Sequence, residues 1–170
     1  MVESVIVDLK RVKIGEGFNC GSGCIIGADP LCTEFRGGLR VLKPPMGGIR
    51  IGRNVTMGSG VVIVLSLDEG TDTVIGDNAM IWHNTVIGHG CEIAENAVVG
   101  VGCNLSGLVK LEPWSYVAVG TTIAPEARVG YGSMVGHGSN VRPGELIPSG
   151  EIWVGNPAKF LKRNPWRPPI

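Results

Sequence analysis

Three histidines, five cysteines and a scatter of carboxylates are the side chains of this chain that can carry chemistry. His83, His89 and His137 titrate near neutral pH, so each could take up and return a proton during a reaction. Three imidazoles converging on one point could instead hold a tetrahedral zinc with a bound water. The cysteines (Cys20, Cys24, Cys32, Cys91, Cys103) are odd in number, and Cys20 and Cys24 lack the second close pair of a four-thiolate zinc site. They read as reduced thiols, and no resident metal is expected. Asp72 stands 17 residues before His89, and Gly107 stands 18 after it. Whether those three residues meet depends on the period with which the chain returns on itself.

That period is six. Every sixth residue from Ile51 to Trp153 is apolar, through Met57, Ile63, Ile75, Ile81, Ile87, Ile93, Val99, Leu105 and onward, and Glu69 is the sole exception. Four places after each apolar residue the side chain is usually small, as at Ala79, Thr85, Cys91, Ala97, Cys103, Ser115 and Thr121. A period of six matches neither the 3.6 of a helix nor the simple alternation of one strand, but it fits short strands meeting at sharp corners. Three such strands close a triangular coil of eighteen residues, with aliphatic and small side chains inside and glycines easing the corners. The expectation is an all-β chain, a left-handed parallel β-helix forming one domain over residues 1–170. A β-sandwich would place turn signals every ten residues or so and would not hold one phase this long.

Two segments leave the pattern. Ile14, Cys20 and Ile26 keep the spacing in another phase, so residues 28–48 must be an external loop, the kind of excursion that often carries binding residues. From Pro157 to the end a cap and tail are expected, with a short helix over Ala158 to Arg163 and then a proline-rich stretch unable to join a sheet. Coil stacking places His89 and Gly107 at one corner in neighbouring turns. It sets His83 and His137, 54 residues apart, on a shared edge three turns (about 14 Å) from each other, too far to share a metal.

The stretch DTVIGDNAMIWHNTVIGHGCEIAENAVVGVGCNLSGLVKL, preceded by RGGLRVLKPPMGGIRIGRNVTMGSG, resembles the hexapeptide-repeat acyltransferases, and most of all the UDP-3-O-acylglucosamine N-acyltransferases of lipid A synthesis. The resemblance runs from about Ile25 to about Val135. It implies that His89, within VIGHGCEI, is the general base, and that the N–H of Gly107, within NLSGLVKL, helps hold an oxyanion. It also implies a homotrimer with active sites between subunits. The family's Asp-Arg-Gly segment is replaced here by SLDEG (Ser66 to Gly70), and its N-terminal recognition domain has no counterpart in these residues. The ending IPSGEIWVGNPAKFLKR is similar to coenzyme A-dependent hexapeptide acetyltransferases and to γ-class carbonic anhydrases. The donor expected is therefore acyl-coenzyme A or acyl carrier protein, used as a co-substrate and not held as a tightly bound cofactor. Lys159, Lys162 and Arg163 are available for its phosphates, and Trp114 for its contacts.

Other readings stand beside these. His89 could be a solvated corner histidine, Gly107 an ordinary corner glycine, and Asp72, offered as an orienting carboxylate for His89, a plain turn residue. Trp82 and Trp114 could seal an interface, and Trp153 continues the inward series as a core plug. A non-catalytic trimeric assembly protein and a γ-class carbonic anhydrase are the alternatives to an acyltransferase acting on a sugar or nucleotide-sugar. Fifteen basic residues balance fifteen acidic ones, so nucleic acid is not an expected partner. The N-terminal apolar patch is broken by Asp8, Lys10 and Arg11, which fits neither a secretion signal nor a membrane span, and the expected compartment is the cytoplasm.

Overall fold

A computed structural model describes residues 5–6 and 10–169. Among the described residues it is all-β: three walls of seven, seven and eight strands, parallel except for the last strand of the third, wind as a left-handed helix of triangular section, with a separate two-stranded hairpin. Strands of one wall recur eighteen residues apart from Ile75 upward. Ile75 pairs with Ile93, Ile93 with Leu111 and Leu111 with Val129 on the second wall. On the first wall Ile87 pairs with Leu105, and on the third Ile81 pairs with Val99. Each rung bonds to the next through backbone N–H groups, as from Val86 to Cys103 O (2.9 Å), so the short strands leave few orphan amides.

The aliphatic series forms the core. Ile75, Ile81, Ile87, Val99, Ile123, Val129, Val135 and Ile147 are fully buried. The small series packs beside it, and several of its polar members are satisfied in one repeated way, whereas buried Ser115 Oγ has no partner among the described residues. Thr85 Oγ1 donates to Gly100 O (2.8 Å), Cys103 Sγ to Ala118 O (3.1 Å) and Thr121 Oγ1 to Gly136 O (2.9 Å), each reaching the corner of the turn above. A buried hydroxyl or thiol so bonded avoids the penalty of an unpaired polar group. Burial pushes the Cys91 thiol up to about 12, so it serves as a core residue and not as a nucleophile.

The coil expands twice, both times at the edge between the first and second walls. Ile14 pairs with Ile51, 37 positions on and nineteen more than one ordinary turn, with the external loop accounting for the excess. Within that loop Thr33–Arg36 and Leu39–Leu42 form an antiparallel hairpin. Ile51 then pairs with Ile75, 24 positions on, because residues 66–71 are looped out between Val62–Val64 and Asp72–Ile75. The second expansion is one repeat long, so it preserves the phase of six and shows in the sequence only as the polar Glu69.

The C-terminal cap differs from expectation. Lys159–Arg163 is a strand, not a helix, and pairs antiparallel with Glu151–Val154. The open edge of the third wall offers free N–H and C=O groups, and bonding them outweighs the helical preference of five residues too few to make a stable helix. Trp153 is half-buried against the core, its Nε1 donating to Glu151 Oε2 (2.8 Å). No helix among the described residues is long and apolar enough to cross a membrane.

The inward ladder should dominate stability. Replacing fully buried Ile93 by Ala is expected to cost about 2–5 kcal/mol in chemical unfolding. Glu92→Ala, one residue away and paired only with exposed Lys110, should cost about 1 kcal/mol or less.

Candidate active site

The corners decide which side chains face outward together. Residues 88–90 turn the chain from the first wall to the second, and one turn above them stand Ser106, Gly107 and Leu108. His89 and Gly107 therefore occupy successive steps of one edge, with Leu108 N–H bonded to His89 O (2.9 Å). The imidazole leans forward over Gly107. A Cβ built on Gly107 would overlap Nε2 of His89, so only glycine leaves the ring its place. Among the described residues no acceptor holds the Gly107 N–H, which leaves it available to an incoming oxygen.

The excursions stand on this same edge beneath His89. Residue Lys43, following the hairpin, pairs with Asp68 of the second loop (Nζ–Oδ1 3.6 Å), and both charges act on the imidazole. Partial burial lowers the His89 pKa below the ordinary histidine value; Asp68 raises it and Lys43 lowers it further. His89 is thus held neutral near pH 7, the form able to accept a proton. Buried Ser66, bonded to Thr71 (Oγ–Oγ1 2.7 Å), and Thr73, which accepts from Gly90 N–H (2.9 Å), fix the loop against the turn that carries His89.

Asp72 is not part of this group. Its Oδ1 accepts from Gly48 N–H (2.8 Å) and its Oδ2 pairs with Arg50 Nε (2.9 Å). The carboxylate points to the turn below, whereas His89 sits in the turn above, so the carboxylate in the field of His89 is Asp68. The sequence signal for Asp68 was the break at Glu69, which marks an inserted loop at the corner preceding His89.

The residues expected to meet a donor lie elsewhere. Lys159, Lys162 and Arg163 are exposed on the cap strand, which extends the third wall and not the His89 edge, and along the axis they lie beyond Pro143, itself three rungs (about 14 Å) above His89. Arg163 is engaged with Glu151 (3.3 Å). Trp114 occupies the opposite edge, between the second and third walls, in left-handed backbone (φ 62°) where the turns below have Asn54, Asn78 and Asn96. Asparagine tolerates that conformation better than tryptophan. Trp114 packs on Trp166 of the tail (centroids 5.9 Å apart, planes at 52°), and the pair lines a groove of about 580 Å³ together with Met80, Val98, Tyr116 and Met134.

The three histidines do not converge within one chain. His83 and His137 lie on the edge between the third and first walls, His89 on another. Among the described residues no group of three His, Cys, Asp or Glu side chains could hold a metal ion.

Gly107→Ala should displace the imidazole while leaving the fold in place. The expected result is a large change in the His89 side-chain NMR signals with those of His83 unmoved. Unchanged His89 signals would show that the ring does not rest on this glycine.

Comparison with known proteins agrees with this architecture. Residues 72–107, which hold Asp72, His83, His89 and Gly107, match the family described as bacterial transferase hexapeptide (six repeats). Two curated relatives are mitochondrial γ carbonic anhydrases 1 and 2 of Arabidopsis thaliana, each 31% identical over 94% of this chain. The chain spans 46% and 45% of their lengths, less than half of either. Among solved structures, a UDP-N-acetylglucosamine acyltransferase from Bacteroides fragilis aligns with a TM-score of 0.84 and 21% identity, over 96% of this chain and 60% of that one. A mutant perosamine N-acetyltransferase from Caulobacter crescentus, solved with coenzyme A and GDP-perosamine, aligns with a TM-score of 0.60 and 27% identity, over 66% of this chain and 50% of that one. The wound strands, the six-residue period and these matches together make the chain a hexapeptide-repeat left-handed β-helix protein, of the fold that these acyltransferases share.

Proposed function

We propose that the protein is an acyltransferase that moves an acyl group from a thioester, acyl-coenzyme A or acyl carrier protein, to an amino or hydroxyl group of a sugar or nucleotide-sugar. N-acyl transfer fits better than O-acyl transfer. The observation that carries this reading is a partly buried imidazole resting over a glycine whose N–H has no acceptor among the described residues, on one edge and one turn apart, with burial favouring the neutral ring. As the acceptor nitrogen attacks the thioester carbonyl, His89 takes its proton, and the Gly107 N–H stabilises the oxygen that becomes negative. Collapse of the tetrahedral adduct breaks the C–S bond, and the imidazolium returns the proton to the departing thiolate. The structural neighbour solved with coenzyme A supports that donor class.

The working unit in this reading is a homotrimer. The second wall presents Arg50, Glu92, Lys110 and Arg128 to solvent, whereas the third presents Met80, Val98, Tyr116 and Met134. An apolar wall of this kind favours contact with a second copy. Subunit packing would also place His89 in a cleft instead of on an open edge, and could bring the Trp114 groove of one copy toward the His89 edge of the next. A cytoplasmic location suits the donors named, and a lipid A-type acceptor is the member of the sugar class that the motif resemblance favours.

A γ-class carbonic anhydrase is the second reading, favoured by the 31% identity to the two plant proteins. It requires histidines from different chains to meet at a zinc ion, because those of one chain occupy two separate edges.

Isothermal titration with acetyl-coenzyme A and a longer acyl-coenzyme A, followed by turnover on a panel of amino sugars and nucleotide-linked amino sugars, tests the proposal. Saturable donor binding and transfer to at least one acceptor are expected. An intact oligomer that transfers from neither coenzyme A nor acyl carrier protein donors, yet hydrates carbon dioxide when loaded with zinc, would establish the second reading. One that does neither would establish a structural role.

A further inference from the structure

Three corners of one turn invite direct comparison. Asp77, His83 and His89 stand 24 residues above Arg53, Ser59 and Leu65, because all three lie beyond the six-residue expansion. Asp77 Oδ1 accepts the N–H of Arg53 (2.8 Å), and His83 Nδ1 accepts the N–H of Ser59 (2.8 Å). Asp72, at the first position of its strand and not at a corner, likewise accepts from Gly48, also 24 residues below it. A corner side chain in this part of the helix therefore reaches back and takes the free amide of the corner beneath it. For His83 this fixes the neutral tautomer: Nδ1 is the acceptor and the proton sits on Nε2.

His89 breaks the rule because its lower corner is missing. The chain leaves the coil at residues 66–71, and the N–H of Leu65 is spent on Ala28 O (3.0 Å). Nδ1 of His89 is consequently buried with no hydrogen-bond partner among the described residues. The ring leans forward over Gly107 instead of backward. The segment occupying the space below carries Asp68, with Lys43 of the preceding excursion paired to it. These are the charged groups whose fields reach the imidazole.

We propose that residues 66–71 are a positioning element for His89: the loop removes the amide that would make Nδ1 an acceptor and sets the Asp68 carboxylate where it favours a proton on Nδ1. The free lone pair is then on Nε2, the nitrogen beside Gly107. Asp68 is a positioning residue acting through His89, and Lys43 is its counter-charge, tempering the field. The inference rests on the transferase reading for its purpose but not for its test, since the tautomer of a histidine is observable whether or not a substrate is known. It also explains why His83, of the same residue type and one corner away, is unsuited to the role: its Nδ1 lone pair is already spent on a backbone amide.

Nitrogen-15 NMR of the imidazoles in the intact protein decides it. Neutral His89 should carry its proton on Nδ1 and neutral His83, in the same spectrum, on Nε2. Asp68→Asn should move the His89 titration midpoint down and Lys43→Met should move it up, because the first removes an anion that stabilises imidazolium and the second a cation that opposes it. Both substitutions sit on half-exposed loops, and unchanged core methyl signals would verify the fold. If an acceptor is in hand, the acid limb of the rate profile should shift with the NMR midpoint in each variant. Neutral His89 with its proton on Nε2, or midpoints that stay put in both variants, would overturn the proposal. Absence of transferase activity would count against the function above and leave the tautomer result standing.

Discussion

Parallel registration of each turn on the next is the constraint from which the rest of this structure follows. Two-residue strands cannot hold themselves, so every one depends on N–H and C=O partners one turn away and on an aliphatic side chain stacked beneath its neighbour. Ile75, Ile93, Leu111 and Val129 form one such stack on the second wall, and comparable stacks line the other two. Misplacing a turn by one residue would send the whole row outward, which fixes the register. The same constraint fixes where chemistry can be placed. Inward wall positions are taken up by the ladder, so side chains are free to differ at the corners, at the insertions there and on the outer faces of the walls.

Both expansions use that freedom at a single edge, directly beneath His89. The coil tolerates them because a loop that leaves and returns at a corner disturbs the walls little, with a register shift between Ile26 and Ala28 on the first, and lengthening an exposed loop carries a modest entropic cost. They bring Lys43 and Asp68 together from positions 25 residues apart and take away the corner amide onto which the imidazole would otherwise lean. The edge above is kept clear by Gly107. The far edge shows a different use of the same freedom, where Trp114 accepts a left-handed backbone in exchange for packing on Trp166.

The fold was almost wholly legible in the sequence because a strict period reports geometry repeated many times over. The inward series, the external loop near residues 28–48 and the stacking of His89 on Gly107 all follow from counting by six. What escaped counting has physical reasons. An insertion one repeat long leaves the phase intact, so residues 66–71 showed only as Glu69 in an apolar column. The direction in which a corner side chain leans cannot be counted either, and Asp72 turned to Gly48 below it and not to His89 above. The cap reads as a helix by local preference, but Lys159–Arg163 is a strand because the edge of the third wall supplies partners that local preference cannot register. Lys159, Lys162 and Arg163 consequently lie on the cap, well above the His89 edge.

The central claim is that proton transfer belongs to the edge between the first and second walls, and it is tested most directly by the rate of acyl transfer in His89→Ala and His83→Ala, measured side by side at saturating donor. Loss of roughly a hundredfold or more in His89→Ala, the scale of a removed general base, with His83→Ala near wild type, is the predicted result. Equal losses in both variants, or a loss confined to His83→Ala, would contradict it and move the reaction to the edge that His83 shares with His137.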